Sequence, residues 1–575
     1  MSGINLLLST AKDALQTQQL ALDVVSHNVA NVNTPDYTRQ IPILESKDPA
    51  PYAGLLLGRG VSITEIQRNT DAFIENNLQE RQSSLTAASE KEIYMGVLEG
   101  LFDESSDNSL SSQMADFWNA WNDVANNPSG DAERSALYER GTLLCQAFSD
   151  VSGHISQLNK ELNLSLDAGV GTINELTSKI ADLNEEIVSM SSTGEANDLL
   201  DQRQHLVNQL SEYLDLSYYV NADNSMTVTT GKGYTLVNKG ESYTLNFEGG
   251  NITWESSGSS TTDITGTITG GKMGGWLEMR DSIIPEYNDK LNQLAHALIG
   301  EVNSIHAQGI GLETMTDVTA SARVSDPSQN LWDQTSGLPY YDAIDSSGSF
   351  NIWVYDSSGA VVGGGTIDVD GAGVNSLNGL RGTIDGLAHM HAEISTDGKL
   401  RLYADAGFSF AFSDDTSNAL SALGINTFFS GKNANDMSVN SALATNKNLI
   451  AAGKVDPATG ETASGDNSNA IDMAGLQFSD VAIRNSDGSV AAIDTLDNYL
   501  ASVEGSIGIK SQSITRTKEY NEVIVNKLKE TRNNISAVSL DEEMTQLIKF
   551  QHAYGAAAKL ISTADEMYQT LLDLK

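Results

Sequence analysis

The sequence predicts a multidomain, elongated α+β protein built from a terminal α-helical coiled coil, a helical-bundle middle layer and β-rich inserted domains. Three observations carry that expectation. The chain has 575 residues, too many for a single hydrophobic core. Its two ends carry apolar seams with the same alternating spacing of four and three. Between them the patterning passes from helix to β, back to helix, to β again and finally to helix.

The first seam is Ile4, Leu8, Ala11, Leu15, Leu22, Val25 and Val29, with Gln18 at the one step that lacks an apolar residue. A stripe this narrow belongs to a coiled coil rather than to the broad face of a globular helix. It stops at Asn28-Val29-Ala30-Asn31-Val32-Asn33-Thr34-Pro35. Asn favours turns and left-handed positions, and Pro35 drives Thr34 out of the α region, so the helix ends and an ordered polar turn follows. Residues 36–44, with Ile41, Pro42 and Ile43, read as extended. Gly58–Ile66 alternates apolar and polar residues like a half-buried strand.

A helical block is expected from Asp71 to about Leu216. It breaks at Asn126–Asp131, with Asp131 as N-cap of the next helix. Inside it Ile173, Leu176, Ile180, Leu183 and Ile187 form another four/three seam. From 216 to 275 the runs Met226–Thr230, Tyr234–Val237 and Tyr243–Phe247, separated by Gly and Asn, read as short strands. Helix returns at Trp276–His306, where Ile284, Tyr287, Leu291, Leu294, Leu298 and Val302 share a face. A second β-rich region spans 310–440, with Phe350–Tyr355 and Leu400–Tyr403 as its clearest strands, and 455–470 is a loop of Gly, Ser, Asp and Thr. From Ile493 to the end the chain reads as helix, interrupted near Asn533–Ser539. The second terminal seam lies there: Leu547, Phe550, Tyr554, Ala557, Ile561, Ala564, Tyr568 and Leu571.

The order implies nesting. Residues 1–66 with 533–575 form a terminal coiled-coil domain. Residues 67–308 with 441–532 form a helical, rod-like domain carrying a β insertion at about 216–275. Residues 309–440 form an outer β-rich domain.

Composition narrows the function classes. A formal net charge of −42 and a pI near 4.3 repel nucleic acid and anionic membrane surfaces alike. With 40% hydrophobic and 19% charged residues, most of the chain has the means to fold. The single cysteine, Cys145, cannot form an internal disulfide, which suits a reducing compartment or a chain that crosses a narrow channel unfolded. The start lacks a basic n-region and no run approaches a membrane span, so the expectation is a soluble chain, or one exported without a cleaved signal.

Three stretches resemble the axial proteins of the bacterial flagellum, the family of rod, hook and hook-associated subunits. Ala21–Gln40 resembles the N-terminal motif shared by that family, with Asp36 where Gly is usual. Leu540–Met544 through Ala556–Met567 is similar to its C-terminal motif. Phe117-Trp118-Asn119-Ala120-Trp121-Asn122-Asp123-Val124-Ala125-Asn126-Asn127-Pro128, followed by Arg134–Leu137, resembles the helical domain of the hook-associated protein 1 branch, which forms the first hook–filament junction. The resemblance is strong over the first 150 and last 80 residues or so, and weak across 216–470. It implies a structural, non-enzymatic subunit without cofactors that self-associates into a tubular assembly after export. It also implies neighbours in the hook protein and a second junction protein, and a cytoplasmic export chaperone on the C-terminal helix. The implied location is the extracellular flagellum, reached from the cytoplasm by type III export. Two other readings are a hook or distal-rod subunit, and a secreted enzyme or adhesin carried on flagellar termini.

Ile4, Leu8, Ala11, Leu15, Leu22, Val25, Asn28, Asn31, Asn33, Pro35, Leu547, Phe550, Tyr554, Ile561, Tyr568 and Leu571 are the candidate assembly residues. Each terminal helix of 26 to 30 residues would extend roughly 40 Å. One stripe packs on its partner, while Leu7, Leu20 and Ala558 remain for neighbouring subunits. A two-helix hairpin has little core, so it is expected to be loose in the monomer and to order on assembly. The three Asn residues are turn formers, and beside a coiled-coil end they are also candidate subunit contacts.

Catalytic patterns are weak. Gly266-Thr267-Ile268-Thr269-Gly270-Gly271-Lys272-Met273 has phosphate-loop spacing, but Met273 replaces the magnesium-ligating Ser or Thr and the context reads as strand. His389 and His391 have no carboxylate at ligand spacing in sequence and read as a surface pair. Asp368-Val369-Asp370-Gly371 opens like a calcium loop without its later Glu, so a turn is expected. Cys145 lies among apolar residues and reads as a buried thiol.

Overall fold

A computed structural model describes residues 2–52, 55–103, 109–190, 196–256, 260–369 and 373–573. Helix α1 (Ser2–Ala30) is followed by strands β1 (Gln40–Ser46), β2 (Ala50–Tyr52), β3 (Leu55–Leu57) and β4 (Val61–Arg68). Four helices come next: α2 (Ala72–Leu101), α3 (Leu110–Asn126), α4 (Asp131–Met190) and α5 (Asn197–Tyr213). Strands β5 (Leu216–Val220), β6 (Met226–Thr230), β7 (Thr235–Asn238) and β8 (Glu241–Ser242) form one antiparallel sheet. Strands β9 (Leu245–Glu248), β10 (Asn251–Glu255) and β11 (Thr261–Asp263) form another. Helix α6 (Gly271–Glu278) runs through a π-helical segment, Met279–Ile283, into α7 (Ile284–Ala307).

Next come β12 (Gly309–Ile310), β13 (Asp317–Thr319), β14 (Ser349–Asp356), β15 (Val361–Asp368), α8 (Leu377–Asp385), β16 (Met390–Ile394), β17 (Leu400–Ala404), β18 (Phe408–Ser413) and α9 (Ala419–Leu423). They are followed by β19 (Phe429–Ser430), β20 (Ser438–Val439), α10 (Ser441–Thr445), β21 (Gly453–Lys454), α11 (Ser468–Gly475), β22 (Val481–Arg484) and β23 (Val490–Asp494). The chain closes with α12 (Leu496–Ser536) and α13 (Leu540–Asp573). The mixed α+β class expected from patterning is the observed one. No described helix is long and apolar enough to cross a membrane.

The chain divides into two compact units: Met1–Tyr94, Glu161–Arg280 and Gln512–Lys575 form the first, and Met95–Lys160 with Asp281–Ser511 the second. In the first, α1 and α13 lie against each other. Ala21 and Val25 of α1 cluster with Phe550 of α13, with Leu22, Leu547 and Ile63 of β4 packed around them. Asn28 meets Glu543 nearer one end, so the helices are antiparallel. The buried side chains of α1 are Ala11, Thr17, Ala21, Val24, Val25 and Asn28, a wider stripe than a two-helix seam. The reason is a second covering element. The antiparallel β1–β4 ladder lies along α1, and Thr17 Oγ1 donates to the Val61 carbonyl at 3.0 Å. On α13 the buried positions are Glu543, Phe550, Ala557 and Ala564.

The small sheets of the first unit are held on α4 by asparagines. The buried Asn184 amide donates to the carbonyls of Met226 and Lys239 and accepts from Met226 N–H and Arg203. Asn174 exchanges both amide bonds with Leu245 on β9. Side-chain amides here satisfy strand-edge groups that a ladder would otherwise leave unpaired.

The second unit has an aromatic core. Phe117, Trp118 and Trp121 of α3 are fully buried, and Phe117 packs on Phe428 and Phe429 with ring centroids 5.6 and 5.4 Å apart. Gly141 on α4 admits the Phe428 ring: an added Cβ would stand 2.8 Å from it. Arg134, 1% exposed, donates to the Pro128 carbonyl at 2.9 and 2.7 Å and to Ile450 at 2.6 Å. His306 Nδ1 donates to the Asn426 carbonyl at 2.7 Å while Nε2 accepts from Ala451 N–H at 3.0 Å. Burial pushes its pKa down to about 4, so it is neutral. Strand β14 pairs with β15 and β18, and β17 with β13 and β16.

Several local expectations shift. Asp131 is the first residue of α4, and Gly130 precedes it, its carbonyl accepting from Arg134 N–H at 3.2 Å. Helix α4 runs 60 residues without interruption. The helix expected from Trp276 begins at Gly271, because Gly270, Gly271 and Gly274 let the backbone press against Ser83, Tyr213 and Thr269. Ile493 belongs to β23, and helix resumes at Leu496.

Candidate functional site

The polar turn after α1 is a bonded junction. Asn28 is 1% exposed, and its amide is fully used. Oδ1 accepts from Gln40 N–H at 3.0 Å and the Tyr37 hydroxyl at 2.9 Å, while Nδ2 donates to the Gln40 carbonyl at 2.9 Å and Glu543 Oε2 at 3.1 Å. Because the Tyr37 hydroxyl donates to Asn28, it accepts from His27 Nδ1 at 3.0 Å, which assigns the His27 proton by the network. Burial, then the charges of Asp198, Asp201 and Glu543, raise the Tyr37 pKa and keep that hydroxyl protonated.

Arg39 ties the turn to the opposite end of the chain. Its Nε donates to Glu543 Oε1 at 2.7 Å and Nη1 to Glu542 Oε2 at 2.6 Å, while its backbone N–H bonds the Ser536 carbonyl at 2.8 Å. The Glu543 side chain is 2% exposed against 63% for Glu542, so the first bond is the stronger contributor.

Asp36 has φ +55°, a left-handed conformation that glycine adopts without strain and that costs an aspartate about 1 kcal/mol. Its carboxylate accepts from His205 Nδ1 at 2.7 Å and Arg532 Nη1 at 2.9 Å. Burial works against its ionisation, but His205 and Arg532 outweigh it and hold the carboxyl below its usual range. Asp201 accepts from Thr38 N–H at 2.9 Å and Arg68 Nε at 2.7 Å, and burial nonetheless pushes its pKa up. Five elements, α1, β4, α5, the end of α12 and the start of α13, therefore converge on residues 36–39.

The candidate seam residues fall into three environments. Ala11, Val25, Asn28 and Phe550 are buried; Ile4, Leu15, Leu22, Asn31, Leu547, Tyr554 and Ile561 are half-buried; Leu8, Asn33, Pro35 and Tyr568 are exposed. The side chain of Leu571 lies outside the described residues. Helix α13 has 34 residues to the 29 of α1, so its last turn outruns its partner, which leaves Tyr568 40% and Leu572 61% exposed. A further set of exposed apolar residues, Leu540, Met544, Ile548, Leu560 and Met567, runs along the outside of α13. Reasoning from apolar spacing did not assign Tyr37, Arg39, His205, Arg532, Glu542 and Glu543. The one available signal was opposite charge at the two terminal motifs.

The remaining patterns resolve as packing. Lys272 lies 4.8 Å from the Tyr213 ring centroid, and Gly270 and Gly271 are pressed against Ser83 and Tyr213, so the backbone groups of a phosphate cradle are covered. His389 and His391 share Asp405 at 3.0 Å each, a carboxylate brought from the next strand connection rather than from nearby sequence. Among the described residues no group of His, Cys, Asp and Glu is arranged to hold a metal. Cys145 is buried and its pKa is pushed up to about 12 by that burial, so the thiol is protonated at neutral pH. Of the calcium-like stretch, Asp370 and Gly371 lie outside the described residues.

Comparison with known proteins is consistent over the whole length. Residues 95–318 match the model of the flagellar hook-associated protein FlgK helical domain. Residues 8–38 match that of the flagella basal body rod protein, and 531–574 that of the flagellar basal body rod FlgEFG protein C-terminal region. Flagellar hook-associated protein 1 of Bacillus subtilis is 26% identical over 98% of this chain and 97% of its own length. Its counterpart in Salmonella typhimurium is 25% identical over 99% of this chain and all of that protein. Among solved structures, the flagellar hook junction protein FlgK from Burkholderia pseudomallei aligns with a TM-score of 0.52 at 17% identity, covering 81% of this chain and all of that one. At that identity it supports the fold alone.

Proposed function

We propose that the chain is a member of the flagellar hook-associated protein 1 family and that its termini make it a junction subunit. It is a flagellar structural protein that acts where hook meets filament, and its paired terminal helices are the polymerising element. The observation that carries this reading is the division of labour on α1 and α13. Their inner faces meet each other and the β1–β4 ladder, while Leu8 and Leu20 of α1 and Leu540, Met544, Ile548, Leu560 and Met567 of α13 stay exposed. Apolar residues left in rows on a paired helix have a physical use as the contact with further helices.

In this reading residues 1–66 with 533–575 form the assembly domain, 67–308 with 441–532 the helical body, and 309–440 an outer domain without enzymatic activity. Ile4, Leu15, Leu22, Leu547, Tyr554 and Ile561 hold the hairpin, while Leu8, Asn33, Pro35 and Tyr568 face neighbours. Self-association in a tube, with the hook protein on one side and a second junction protein on the other, follows export of the chain through the flagellar type III channel. Before export a cytoplasmic chaperone covers the exposed stripe of α13. Immunogold labelling of isolated flagella tests the placement. Label confined to the hook–filament boundary is expected; label along the whole hook would identify a hook subunit instead.

A further inference from the structure

Strands β2 and β3 pair in antiparallel register, Pro51 with Leu56. Leu55 and Leu56 are 70% and 72% exposed, and Leu57 is 39% exposed. No charged residue occurs between Asp48 and Arg59, a long uncharged run in so acidic a chain. Arg59 is itself exposed and makes no ion pair among the described residues. An apolar edge this open, beside a guanidinium without an ion pair, has no partner among the described residues.

The position of that edge selects its occupant. Lys47 bonds Asp13 at 2.8 Å, and the Gly60 backbone lies against the Thr10 side chain, so the β2–β3 pair leaves the ladder beside the N-terminal half of α1. Since α1 and α13 are antiparallel with equal rise per residue, that is the level at which α13 carries its exposed Leu560 and Met567, 47% and 46% exposed. Those two residues are seven apart on one helix face, with the smaller Ala556 and Thr563 between and beside them and the exposed carboxylate of Glu566 on the flank. Small positions between large ones offer holes for leucine side chains, and the carboxylate offers a counter-charge to Arg59. Copies related by rotation about a tube axis present equal levels to each other. We propose that the Leu55–Leu57 edge of one copy docks on the Leu560–Met567 face of α13 in an adjacent copy, with Arg59 paired to Glu566. This rests on the polymerising reading above. A contact of three leucines is far below the area of a stable dimer, so it forms only inside the assembly.

Cysteine cross-linking of the full chain tests it, because the native Cys145 is buried. Chains carrying Leu56→Cys and chains carrying Met567→Cys are expressed together, flagella are isolated, and a short bis-maleimide is added. A homodimer-mass band is expected only when both variants are present, and only in flagella, not in the secreted monomer. Both chains present in flagella without that band would overturn the docking and leave the junction reading standing. A cross-link from position 56 to a protein of different mass would overturn it in favour of a contact with another axial protein. Absence of the wild-type chain from flagella would overturn the junction reading and this proposal together. Leu56→Asp should lower incorporation at least tenfold while Leu56→Ile restores it; equal incorporation of Leu56→Asp would count against the contact.

Discussion

At the scale of residues, the terminal junction depends on a few charged groups held by burial. Asp36 keeps a left-handed backbone because His205 and Arg532 reward its carboxylate. Its folded pKa lies below the ordinary value of 3.8, so its contribution is fully present above about pH 4 and disappears as pH falls through the lower folded value. Asp36→Asn, which tolerates the same backbone, should therefore be less stable than wild type at neutral pH. The gap between them should close on acidification below about pH 4 in urea titrations of the first unit. Arg39→Ala leaves the buried Glu543 carboxylate with Asn28 as its remaining donor, at a cost of about 2–3 kcal/mol. A double-mutant cycle with Glu543→Gln should return a coupling of at least about 1 kcal/mol; additive losses would mean the pair contributes little. His306 acts in the same direction for a different reason: burial favours its neutral form. Its folded pKa is about 4 against 6.5, so it weakens the second unit progressively as pH falls from 6.5 toward 4, by roughly 3 kcal/mol at the limit. A His306→Gln variant should lose that pH slope in thermal unfolding followed by tryptophan fluorescence.

At the scale of elements, α1 and α13 bury one side and expose the other. C-terminal to Ala564, helix α13 has no buried side chain among the described residues. Local opening should therefore be cheap there. Amide exchange across 4–29 and 547–571 of the monomer should be faster than in α4, which is covered by the sheets and helices around it. Equal protection would exclude ordering on assembly. Leu22→Asp and Ile561→Asp, each placing a carboxylate at the half-buried seam, should abolish incorporation into flagella while far-UV circular dichroism changes by no more than the terminal helices account for. Part of this was legible beforehand. The α13 seam from Leu547 to Ala564 follows the alternation read from spacing, because its partner covers a single stripe. The buried stripe of α1 is wider, because the β1–β4 ladder takes a second side, and no spacing rule reports a neighbour that arrives from elsewhere. The start of α6 at Gly271 departs from the expected Trp276 for a related reason: its glycines serve close backbone approach, and in sequence they look like turn residues.

At the scale of the whole molecule, the net charge of −42 repels one copy from another, and on the proposed reading the apolar rows on α1 and α13 oppose that repulsion. Screening should tip that balance. Between low salt and about 0.5 M, where the Debye length shrinks to roughly 4 Å, self-association of purified monomer should accelerate, as read by light scattering. No acceleration would mean that repulsion does not limit the encounter. By itself the sequence determined the α+β class, the helices at both ends, the polar stop after the first, and the flagellar resemblance. All of these depend on local periodicity, turn chemistry or residue order, which a single chain carries along its length. Only the tertiary structure decided that Asn28 is consumed within the chain, that Arg39 reaches Glu543, that Asp36 is held by His205 and Arg532, and that Asp405 joins His389 to His391. Those partners lie from 9 to 515 positions apart, and a contact between distant residues is set by how elements pack, which no local pattern records. The turn that closes α1 is thus the place where the two ends of the chain are bonded into one.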